Sequence, residues 1–513
     1  MGILTSAKRF LAASSVGASH LTSFFAPNPH LHTSRFARLH EHAPLLIPTP
    51  EQVKTGLLFG ISHLNQTACV RPTAKRRELG NMLVCAPPRM GKSLLAISQL
   101  LTWPHSVIVN DVKGELYAAT AGYRSTFSDV YVIDFQGYGN AYDPLSGKTT
   151  EDELLSMATH LLYQAHEGEG KIFMQRAITM LLIIFIAAGR QGIAPFPYLR
   201  FLIHSGLADT AAHLYNLDST LATRFLDTDF LSADLQDKFL LSCWGSLVHP
   251  LQPILTETVI RSLTQADFTP EALMTAARPK TVYVRWKEQD LLTLAPLNRL
   301  HWGSWINELT SVHDQRLGRG CNPVLLLIDE GGRTAIPNLH DATSTVCGRG
   351  VSIWLAVQSL EQLAAVYHSK EKADIILGNC DTQLFYRPNL LQTARYIEER
   401  LGRRSGFAQS QTRHEGKEGS EGLSEQSVPV MSREEIMRMP DRNILVFHRD
   451  HRAMQLTRLE YFRHPVLAKR RNIEAPTVLE LAPLQEITLR LTPSLYNEEI
   501  HLDDPDNLID PRR

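Results

Sequence analysis

The sequence is short of cysteine, of net charge and of long apolar runs, and each shortage excludes a class of protein. Its six cysteines form no CxxC pair and no cluster with histidine, which argues against a zinc site and against a disulfide framework. Basic residues number 52 and acidic residues 53, so no field of the whole protein attracts nucleic acid. The longest apolar run, 177–189, is shorter than the roughly 20 residues of a membrane span and predicts a buried core helix.

Apolar stretches without alternation recur along the chain and predict strands that are buried on both faces. Such strands, interrupted by helical patterns, are typical of an α/β fold with a mostly parallel sheet covered by helices on both faces. A chain of 513 residues can bury the cores of two or three domains. The predicted strands lie at 82–86, 106–109, 130–133, 281–284, 324–328, 353–357, 382–386 and 443–447.

Changes of pattern along the chain predict five segments. Strand signals vanish and helical periodicity dominates from 151 to 275, with predicted helices at 151–166, 171–188 and 232–247, which indicates an inserted all-helical domain. A stretch rich in Gly, Ser, Gln and Glu predicts a mobile loop at about 405–428. The segments are an N-terminal arm and lead-in (1–80), the first part of an α/β domain (81–150), the helical insertion (151–275), the second part of the α/β domain (276–465) and an acidic C-terminal tail (466–513).

The segment APPRMGKS at 86–93 follows a predicted strand and precedes a helical pattern, as a Walker A phosphate-binding loop does. In such a loop, backbone N–H groups surround the phosphates of ATP, Lys92 binds the β- and γ-phosphate oxygens, and the Ser93 hydroxyl can bind Mg²⁺. Ala86 stands where the pattern has its first glycine, so a positive φ at that position would be strained. The predicted nucleotide-binding residues of this loop are Ala86, Pro87, Pro88, Arg89, Met90, Gly91, Lys92 and Ser93.

The predicted strand 324–328 ends in Asp329 and Glu330, which is typical of a Walker B motif. We expect Asp329 to bind the nucleotide through Mg²⁺, together with Ser93, and Glu330 to act as the general base toward the attacking water. The next predicted strand ends in Gln358, which is a candidate sensor of the γ-phosphate; an ordinary polar residue at a strand end is the alternative. The two Walker motifs together are far more specific than either alone.

Further short motifs accompany the Walker motifs in a definite order. They are DVKGEL (111–116), TAG (120–122) with Arg124, YDPL (142–145), IPNL (336–339), GRG (348–350), QSLEQL (358–363), Tyr367, Asn379, TA (393–394) and LG (401–402). Over roughly residues 80–465, this order resembles the conjugative coupling ATPases, the TraG/TraD-type proteins of type IV secretion.

The resemblance implies a RecA-like P-loop NTPase domain with an inserted all-α domain that meets the transfer machinery. It implies an ATP-driven motor that uses Mg²⁺, assembles into a homo-hexamer on nucleotide or DNA binding, and moves DNA toward a secretion channel. DNA would be bound without sequence specificity, through the ring pore, and type IV secretion or relaxosome proteins would be partners. Arg349 would act across the subunit interface as a catalytic arginine finger, whereas Asp111, Lys113 and Glu115 would be structural or adjacent to the site. A solvated surface arginine is the alternative for Arg349.

The sequence departs from the resemblance at two places. Many relatives carry paired membrane-spanning helices before the Walker A strand, and no such pair is found here, so we expect a cytoplasmic protein with only indirect or peripheral association at the cytoplasmic face of the inner membrane. Gly331, Gly332 and Arg333 follow the Walker B acids, where many relatives have a bulky residue, so the loop geometry is expected to differ.

Two basic clusters and two other functions stay open at this point. The clusters at 71–77 and 469–471 suit either DNA contact or an ordinary solvated surface. One alternative function is a cytoplasmic RecA-like DNA translocase that is not tied to secretion. The other is a nucleotide-binding adaptor that recruits substrates without turnover, against which the intact Lys92, Asp329, Glu330 and Gln358 argue.

Overall fold

A thirteen-stranded sheet organises the part of the chain described by the structure, a computed structural model that covers residues 33–162, 170–333, 335–414 and 417–484. A separate pair of strands forms a two-stranded ribbon. The strands of the large sheet are β1 (Leu46–Ile47), β2 (Leu57–Ile61), β3 (Thr67–Val70), β4 (Met82–Cys85), β5 (Ser106–Asp111), β6 (Asp129–Asp134), β7 (Tyr138–Gly139), β8 (Lys280–Arg285), β9 (Val324–Ile328), β10 (Val351–Val357), β11 (Thr382–Phe385), β14 (Asn443–His448) and β15 (Met454–Thr457), and those of the ribbon are β12 (Arg403–His414) and β13 (Lys417–Pro429).

The centre of the sheet is parallel, as the continuous apolar runs predict. Seven strands run side by side in the order β11-β4-β10-β9-β5-β8-β6, and every neighbouring pair is parallel. Strands β4, β9 and β10 are buried along their whole length. Because β10 lies between β4 and β9, the ends of the Walker A strand, the Walker B strand and the strand before Gln358 meet at one edge of the sheet. The predicted α/β class is confirmed.

The sheet extends beyond this centre through antiparallel strands, and here one prediction is wrong. We expected the core to begin at the strand 82–86 and the residues before it to be a lead-in. Instead β2 and β3 are fully buried, and β2 pairs with β15, with Ile61 opposite Thr457. The partner of β2 lies almost 400 residues away in the sequence, so no local pattern reveals the pairing.

The described residues of the segment 405–428, predicted to be a mobile loop, instead form the antiparallel ribbon of β12 and β13. The strands pair from Arg403 opposite Pro429 inward, with Ser405 opposite Ser427. The prediction of a loop rested on the small number of apolar residues, which cannot form a core. Two paired strands satisfy each other's backbone hydrogen bonds without one. Because β12 and β13 are long, this ribbon is the largest difference between the predicted and the observed secondary structure.

Helices cover the sheet and fill the segment between β7 and β8, where no strand is described. The predicted helix 232–247 begins later, at Lys238, because a short 3₁₀ turn (Phe230–Ser232) and a loop precede it. The helices are α1 (Leu39–His42), α2 (Lys92–Thr102), α3 (Glu115–Ser125), α4 (Glu151–Leu161), α5 (Lys171–Gln191), α6 (Pro195–Ser205), α7 (Leu207–Leu217), α8 (Ser219–Leu226), α9 (Lys238–Leu251), α10 (Glu257–Arg261), α11 (Pro270–Thr275), α12 (Ala295–Gln315), α13 (Leu339–Thr345), α14 (Leu360–Tyr367), α15 (Lys370–Gly378), α16 (Leu391–Leu401), α17 (Arg433–Met437) and α18 (Pro465–Arg471).

Helix α5 is the central element of the helical segment. By length and composition it is the one described helix that could cross a membrane, yet half of its most apolar window is buried inside the protein. Its neighbours are α4, α6, α8 and α9. A helix that packs against several others is a core helix, as the apolar run predicts.

The two ends of the chain are described only in part. The arm at 1–32 and the residues after 484 lie outside the described residues. The first part of the predicted acidic tail packs on the α/β core: Leu467 of α18 is buried, and the hydroxyl of Tyr117 in α3 donates to the backbone carbonyl of Pro476. A Cβ at Gly122 of α3 would lie 2.1 Å from the carbonyl oxygen of Ile473, so the close approach of this segment requires glycine.

Candidate nucleotide-binding site

The segment 86–91 joins the end of β4 to the first turn of α2 and forms the predicted phosphate-binding loop. The backbone N–H of Ala86 donates to the carbonyl of Val357 in β10 at 3.0 Å, which fixes the start of the loop. Positive φ angles occur at Arg89 (66°) and Gly91 (102°), and Ala86 is not among the residues with positive φ. Alanine is therefore tolerated at the position of the first glycine. The loop presents the N-terminal N–H groups of α2 toward the cavity, an arrangement that binds anions.

Lys92, the first residue of α2, lies between the two Walker B carboxylates. Its ammonium nitrogen is 2.9 Å from Oδ1 of Asp329 and 2.7 Å from Oε1 of Glu330. All three side chains are largely buried, with exposed fractions of 11%, 9% and 12%. The structure thus brings together the lysine and the two acids predicted from separate motifs.

The electrostatics of this triad differ between the two acids. Burial raises the pKa of Asp329, and the nearby ammonium of Lys92 offsets this only in part. For Glu330, burial also opposes ionisation, but Lys92, the amide of Gln358 and Arg333 together lower its pKa below the usual range. Burial likewise opposes the charge of Lys92, yet the two carboxylates raise the pKa of its ammonium. Glu330 is therefore the more firmly ionised acid.

Glu330 is held in an unusual backbone conformation that its neighbours make possible. Its φ is 58°, a left-handed value that costs a non-glycine residue free energy. Oε2 of Glu330 accepts a hydrogen bond from Nε2 of Gln358 at 3.1 Å, so the candidate sensor touches the candidate base directly. A Cβ at Gly331 would lie 2.3 Å from Cδ1 of Leu355, and one at Gly332 would overlap Gln362 at 2.3 Å. A side chain at either position would therefore displace Leu355 or Gln362.

The motif at 111–116 supports the site from the neighbouring strand β5. The Asp111 carboxylate accepts hydrogen bonds from the backbone N–H groups of Leu116 and Tyr117, and so caps the start of α3. Burial outweighs these bonds and raises the pKa of Asp111 to about 6. Glu115 accepts a hydrogen bond from the Ser93 hydroxyl at 2.9 Å. Asp111 is structural, and Glu115 is adjacent to the predicted metal ligand.

A cavity of about 570 Å³ lies above the loop, within the size range of small-molecule sites. Of the predicted nucleotide-binding residues, Met90 and Asp329 are not in its wall. The described residues that line it include five cations, Arg89, Lys92, Lys113, Arg333 and Arg458, against two carboxylates, Glu115 and Glu330. The excess of positive charge suits a polyphosphate.

Arg458 is a lining residue that the sequence analysis missed. It follows β15, more than 360 residues after the loop, and its Nη1 donates to the carbonyl of Met90 at 3.1 Å. Glu460 holds the guanidinium from the other side at 2.9 Å. No motif marks Arg458, because only the pairing of β14 and β15 with the rest of the sheet brings it to the loop.

The donor set fits a nucleotide with Mg²⁺. Magnesium prefers oxygen ligands and usually takes one or two carboxylates together with the phosphates of its substrate. Ser93 supplies a hydroxyl, Asp329 a carboxylate, and Glu115 a second carboxylate next to Ser93. No group of three or more metal-binding side chains occurs among the described residues. The residues are therefore suited to a metal that is bound jointly with phosphates.

Comparison with known proteins identifies the family of this chain. Residues 75–480 match the family model described as "Type IV secretory system Conjugative DNA transfer". The chain belongs to this family. The predicted function, that of a conjugative coupling protein of type IV secretion, is confirmed at this level.

The curated relatives have low sequence identity to this chain, but they align with most of it. The conjugal transfer protein TraG of Escherichia coli is 24% identical over 449 residues, which cover 78% of this chain and 69% of TraG. VirD4 of Rhizobium radiobacter is 25% identical over 433 residues, which cover 79% of this chain and 60% of VirD4.

Solved structures show the same fold. The bacterial conjugative coupling protein TrwBdeltaN70, in its unbound monoclinic form, superposes with a TM-score of 0.62 at 14% identity, over 84% of this chain and 94% of that chain. TrwB has also been solved in complex with ADP and Mg²⁺, and this structure superposes with a TM-score of 0.60 at 14% identity, over 85% of this chain and 95% of that chain. The likeness confirms the RecA-like domain with an all-α domain that the resemblance implied.

Arg349 lies away from the site of its own chain. It precedes β10, whereas Gln358 follows the other end of that strand, so the two are separated by about 20 Å along the sheet. Its Nε is 2.8 Å from Oδ1 of Asp314 at the end of α12. Within one copy of the chain, Arg349 therefore cannot reach the cavity, and its predicted role as an arginine finger requires a second subunit.

Proposed function

We propose that the chain hydrolyses ATP at this cavity and uses the free energy to recruit DNA, or a protein–DNA substrate, and to move it toward a type IV secretion channel. The observation that supports this most directly is the contact of Lys92 with both Asp329 and Glu330 at the N-terminus of α2. Phosphate-binding and acid/base groups thereby share one cavity. We further propose that the protein acts in the cytoplasm, at the cytoplasmic face of the inner membrane.

The proposed ligand is ATP with Mg²⁺, as in the ADP–Mg²⁺ complex of TrwB. When bound, it supplies the transferable phosphoryl group and a cation that neutralises charge on the phosphates. The N–H groups at the start of α2 and the ammonium of Lys92 hold the phosphate oxygens. Ser93 and Asp329 hold the metal. For this to occur, Lys92 must exchange its contacts with the carboxylates for contacts with phosphate, and the triad is therefore a resting state.

Glu330 is suited to the role of general base once Lys92 is engaged by phosphate. The contact with Lys92 is the main cause of its lowered pKa, so when phosphate takes Lys92 the carboxylate becomes a stronger base, which can accept the proton of the attacking water. Gln358 donates to Oε2 and leaves Oε1, which now faces Lys92, to receive that proton. Gln358 also lines the cavity, where its amide can sense the γ-phosphate.

Assembly of several copies is part of the proposal. Arg349 is half-buried at the opposite edge of the sheet, where it is available to the nucleotide site of a neighbouring subunit after release from Asp314. An arginine supplied in trans stabilises the charge of the transition state and typically raises the rate by orders of magnitude. This agrees with a homo-hexamer whose nucleotide sites lie at subunit boundaries, the arrangement implied by the resemblance.

The test is steady-state ATP hydrolysis by the purified chain, with and without single- and double-stranded DNA. We expect DNA-stimulated turnover in the wild type. Glu330→Gln should retain ATP binding and lose turnover by at least about 100-fold, whereas Lys92→Ala should lose ATP affinity. Glu151→Gln in the helical segment, which changes the same kind of side chain far from the cavity, is the matched control.

Each result bears on a different part of the proposal. Normal hydrolysis in both Glu330→Gln and Lys92→Ala would overturn the site assignment. Tight ATP binding by the wild type without turnover under any condition would instead indicate a nucleotide-binding adaptor. Turnover that DNA does not alter would remove DNA from the proposal and leave an ATPase with a protein substrate.

A further inference from the structure

A second cavity, of about 400 Å³, lies at the same edge of the sheet as the nucleotide cavity. It is formed where β5, β6 and β8 end, and Lys113 lines both cavities. The loop after β5 therefore separates the two. Anything bound in the second cavity would be one loop away from the nucleotide.

The walls of the second cavity carry an excess of positive charge. They include Lys113, Arg285 and Lys287 against one carboxylate, Asp134. Asp134 is already 3.6 Å from Nε of Arg285, whose guanidinium also lies over the ring of Tyr117. In the part of the chain that the structure describes, neither Lys113 nor Lys287 has an ion-pair partner, and both are exposed. Two ammonium groups are thus free for an external anion.

Neutral donors complete the cavity. The side chain of Gln289 contributes an amide group to its wall, whereas the amide of Gln136 lines the cavity but already donates to Oδ2 of Asp290 at 3.0 Å. Trp286 lines the cavity while stacking on Phe135 at 4.6 Å. The indole N–H of Trp286 has no hydrogen-bond partner among the described residues. Lysine, arginine and amide donors without a matching set of acceptors are the composition of a surface that contacts phosphate.

The other basic regions of the chain are engaged within the protein in part, and they lie farther from the nucleotide cavity. In the cluster at 71–77, Arg76 shares Asp381 with Arg449, at 3.0 and 3.4 Å. In the cluster at 469–471, Arg470 donates to the carbonyl of Leu101 at 2.7 Å. A larger cavity of about 830 Å³ contains Arg76 and Arg449 but lies at the opposite edge of the sheet. The cavity that shares Lys113 with the nucleotide cavity has the closer link to ATP.

We propose that the cavity lined by Lys113, Arg285 and Lys287 binds backbone phosphates of DNA. The inference rests on the proposed function, because it names where the transferred DNA touches the motor. Contacts of lysine and arginine to phosphates carry no sequence information, so binding is independent of base sequence. The loop of Lys113 continues into Glu115, which accepts a hydrogen bond from the hydroxyl of Ser93. This contact connects the proposed DNA-binding cavity to the phosphate-binding loop.

The test measures the affinity of the full chain for a fluorescently labelled single-stranded oligothymidylate, without nucleotide, over a series of salt concentrations. The variant Lys113→Ala/Lys287→Ala removes the two free ammonium groups. The control Lys75→Ala/Lys469→Ala removes the same charge from exposed positions in the two basic clusters. We expect the first variant to bind about tenfold more weakly and to lower the salt slope by about 1.4, since each phosphate contact on a single strand contributes about 0.7. The control should behave as the wild type.

Four results would overturn the proposal. Equal weakening in both double variants would show an effect of net charge alone. Unchanged DNA affinity with impaired self-assembly would show that the cavity receives an acidic surface of a second copy. A wild type that hydrolyses ATP without binding DNA would overturn both this inference and the DNA part of the proposed function, whereas DNA binding that only the control weakens would overturn the cavity assignment alone.

Discussion

Two buried cations, Lys92 and Arg124, show how this fold separates function from stability. Lys92 ends in a cavity and faces two carboxylates, Asp329 and Glu330. Arg124 of α3 is fully buried and contacts no carboxylate of the described residues. Both belong to motifs that carry the resemblance to the conjugative coupling family, but the sequence predicts a role only for Lys92.

The difference lies in how completely each charge is satisfied. The guanidinium of Arg124 donates to the hydroxyl of Thr281 at 2.6 Å and to the carbonyls of Leu100, Trp103 and His105 at 3.1, 2.7 and 2.7 Å. Its pKa is lowered by burial to about 10, which still leaves it charged at neutral pH. Arg124 is completely buried, so a ligand cannot reach it. Lys92 instead contacts two carboxylates, and one ammonium group cannot neutralise both. A bound phosphate can therefore replace the carboxylates as the partner of Lys92.

The largest effect that this comparison predicts is on folding. Arg124→Met leaves three buried carbonyls and a hydroxyl without their donor, and we expect the free energy of unfolding to fall by about 3–5 kcal/mol. Urea unfolding followed by circular dichroism measures this change. ATP binding under conditions where the variant is folded should remain, because Arg124 does not reach the cavity.

The matched control is Arg471→Met, at an exposed arginine in the last turn of α18. Its unfolding midpoint should stay close to that of the wild type. A small stability change in Arg124→Met combined with lost ATP binding would contradict the distinction, since the buried arginine would then serve the site.

Much of the site could be predicted from the sequence because its elements are local. A phosphate-binding loop is specified by the turn between one strand and one helix, and Lys92 and Ser93 follow from it. Glu330 and Gln358 follow from the polar ends of two apolar strands. The parallel order of the strands at the centre of the sheet then brings these ends together.

What could not be predicted depends on pairing between distant parts of the chain. Arg458 reaches the loop only because β14 and β15 add to the sheet beside β11 and β2. The burial of β2 has the same origin. The requirement for glycine at Gly331 follows from the side chain of Leu355 in the adjacent strand, which no pattern around position 331 reveals.

A third buried base, His160 in α4, extends the comparison because it is neutral. It is packed beneath Gly303 of α12, where a Cβ would lie 2.8 Å from its Nδ1, and its Nε2 is 3.0 Å from Nδ2 of Asn307. Burial lowers its pKa to about 4. The unfolded chain, with a histidine pKa near 6.5, binds more protons between these values, so stability falls as the pH falls from about 6.5 to about 4.

We therefore expect His160→Gln to flatten the pH dependence of stability. Between pH 7 and pH 5, His160 should account for a loss of about 1–2 kcal/mol, which the glutamine variant would not show. Urea unfolding at both pH values measures it. His249→Gln, at an exposed histidine of α9, should keep the dependence of the wild type. An identical dependence in all three proteins would contradict the assignment to His160.

The smallest predicted effect separates the two acids that face Lys92. Burial makes ionised Asp329 unfavourable in the folded state, whereas its partners favour ionised Glu330. We expect Asp329→Asn to raise the free energy of unfolding at pH 7, and Glu330→Gln to lower it, each by about 1 kcal/mol or less, and both to stop hydrolysis. Each variant keeps the other carboxylate opposite Lys92. Chemical denaturation of the nucleotide-free variants gives the sign of each stability change. If both substitutions destabilise the protein equally, the contacts among Lys92, Asp329 and Glu330 serve stability, as those of Arg124 do. The triad would then hold no unfavourable free energy for a bound phosphate to relieve.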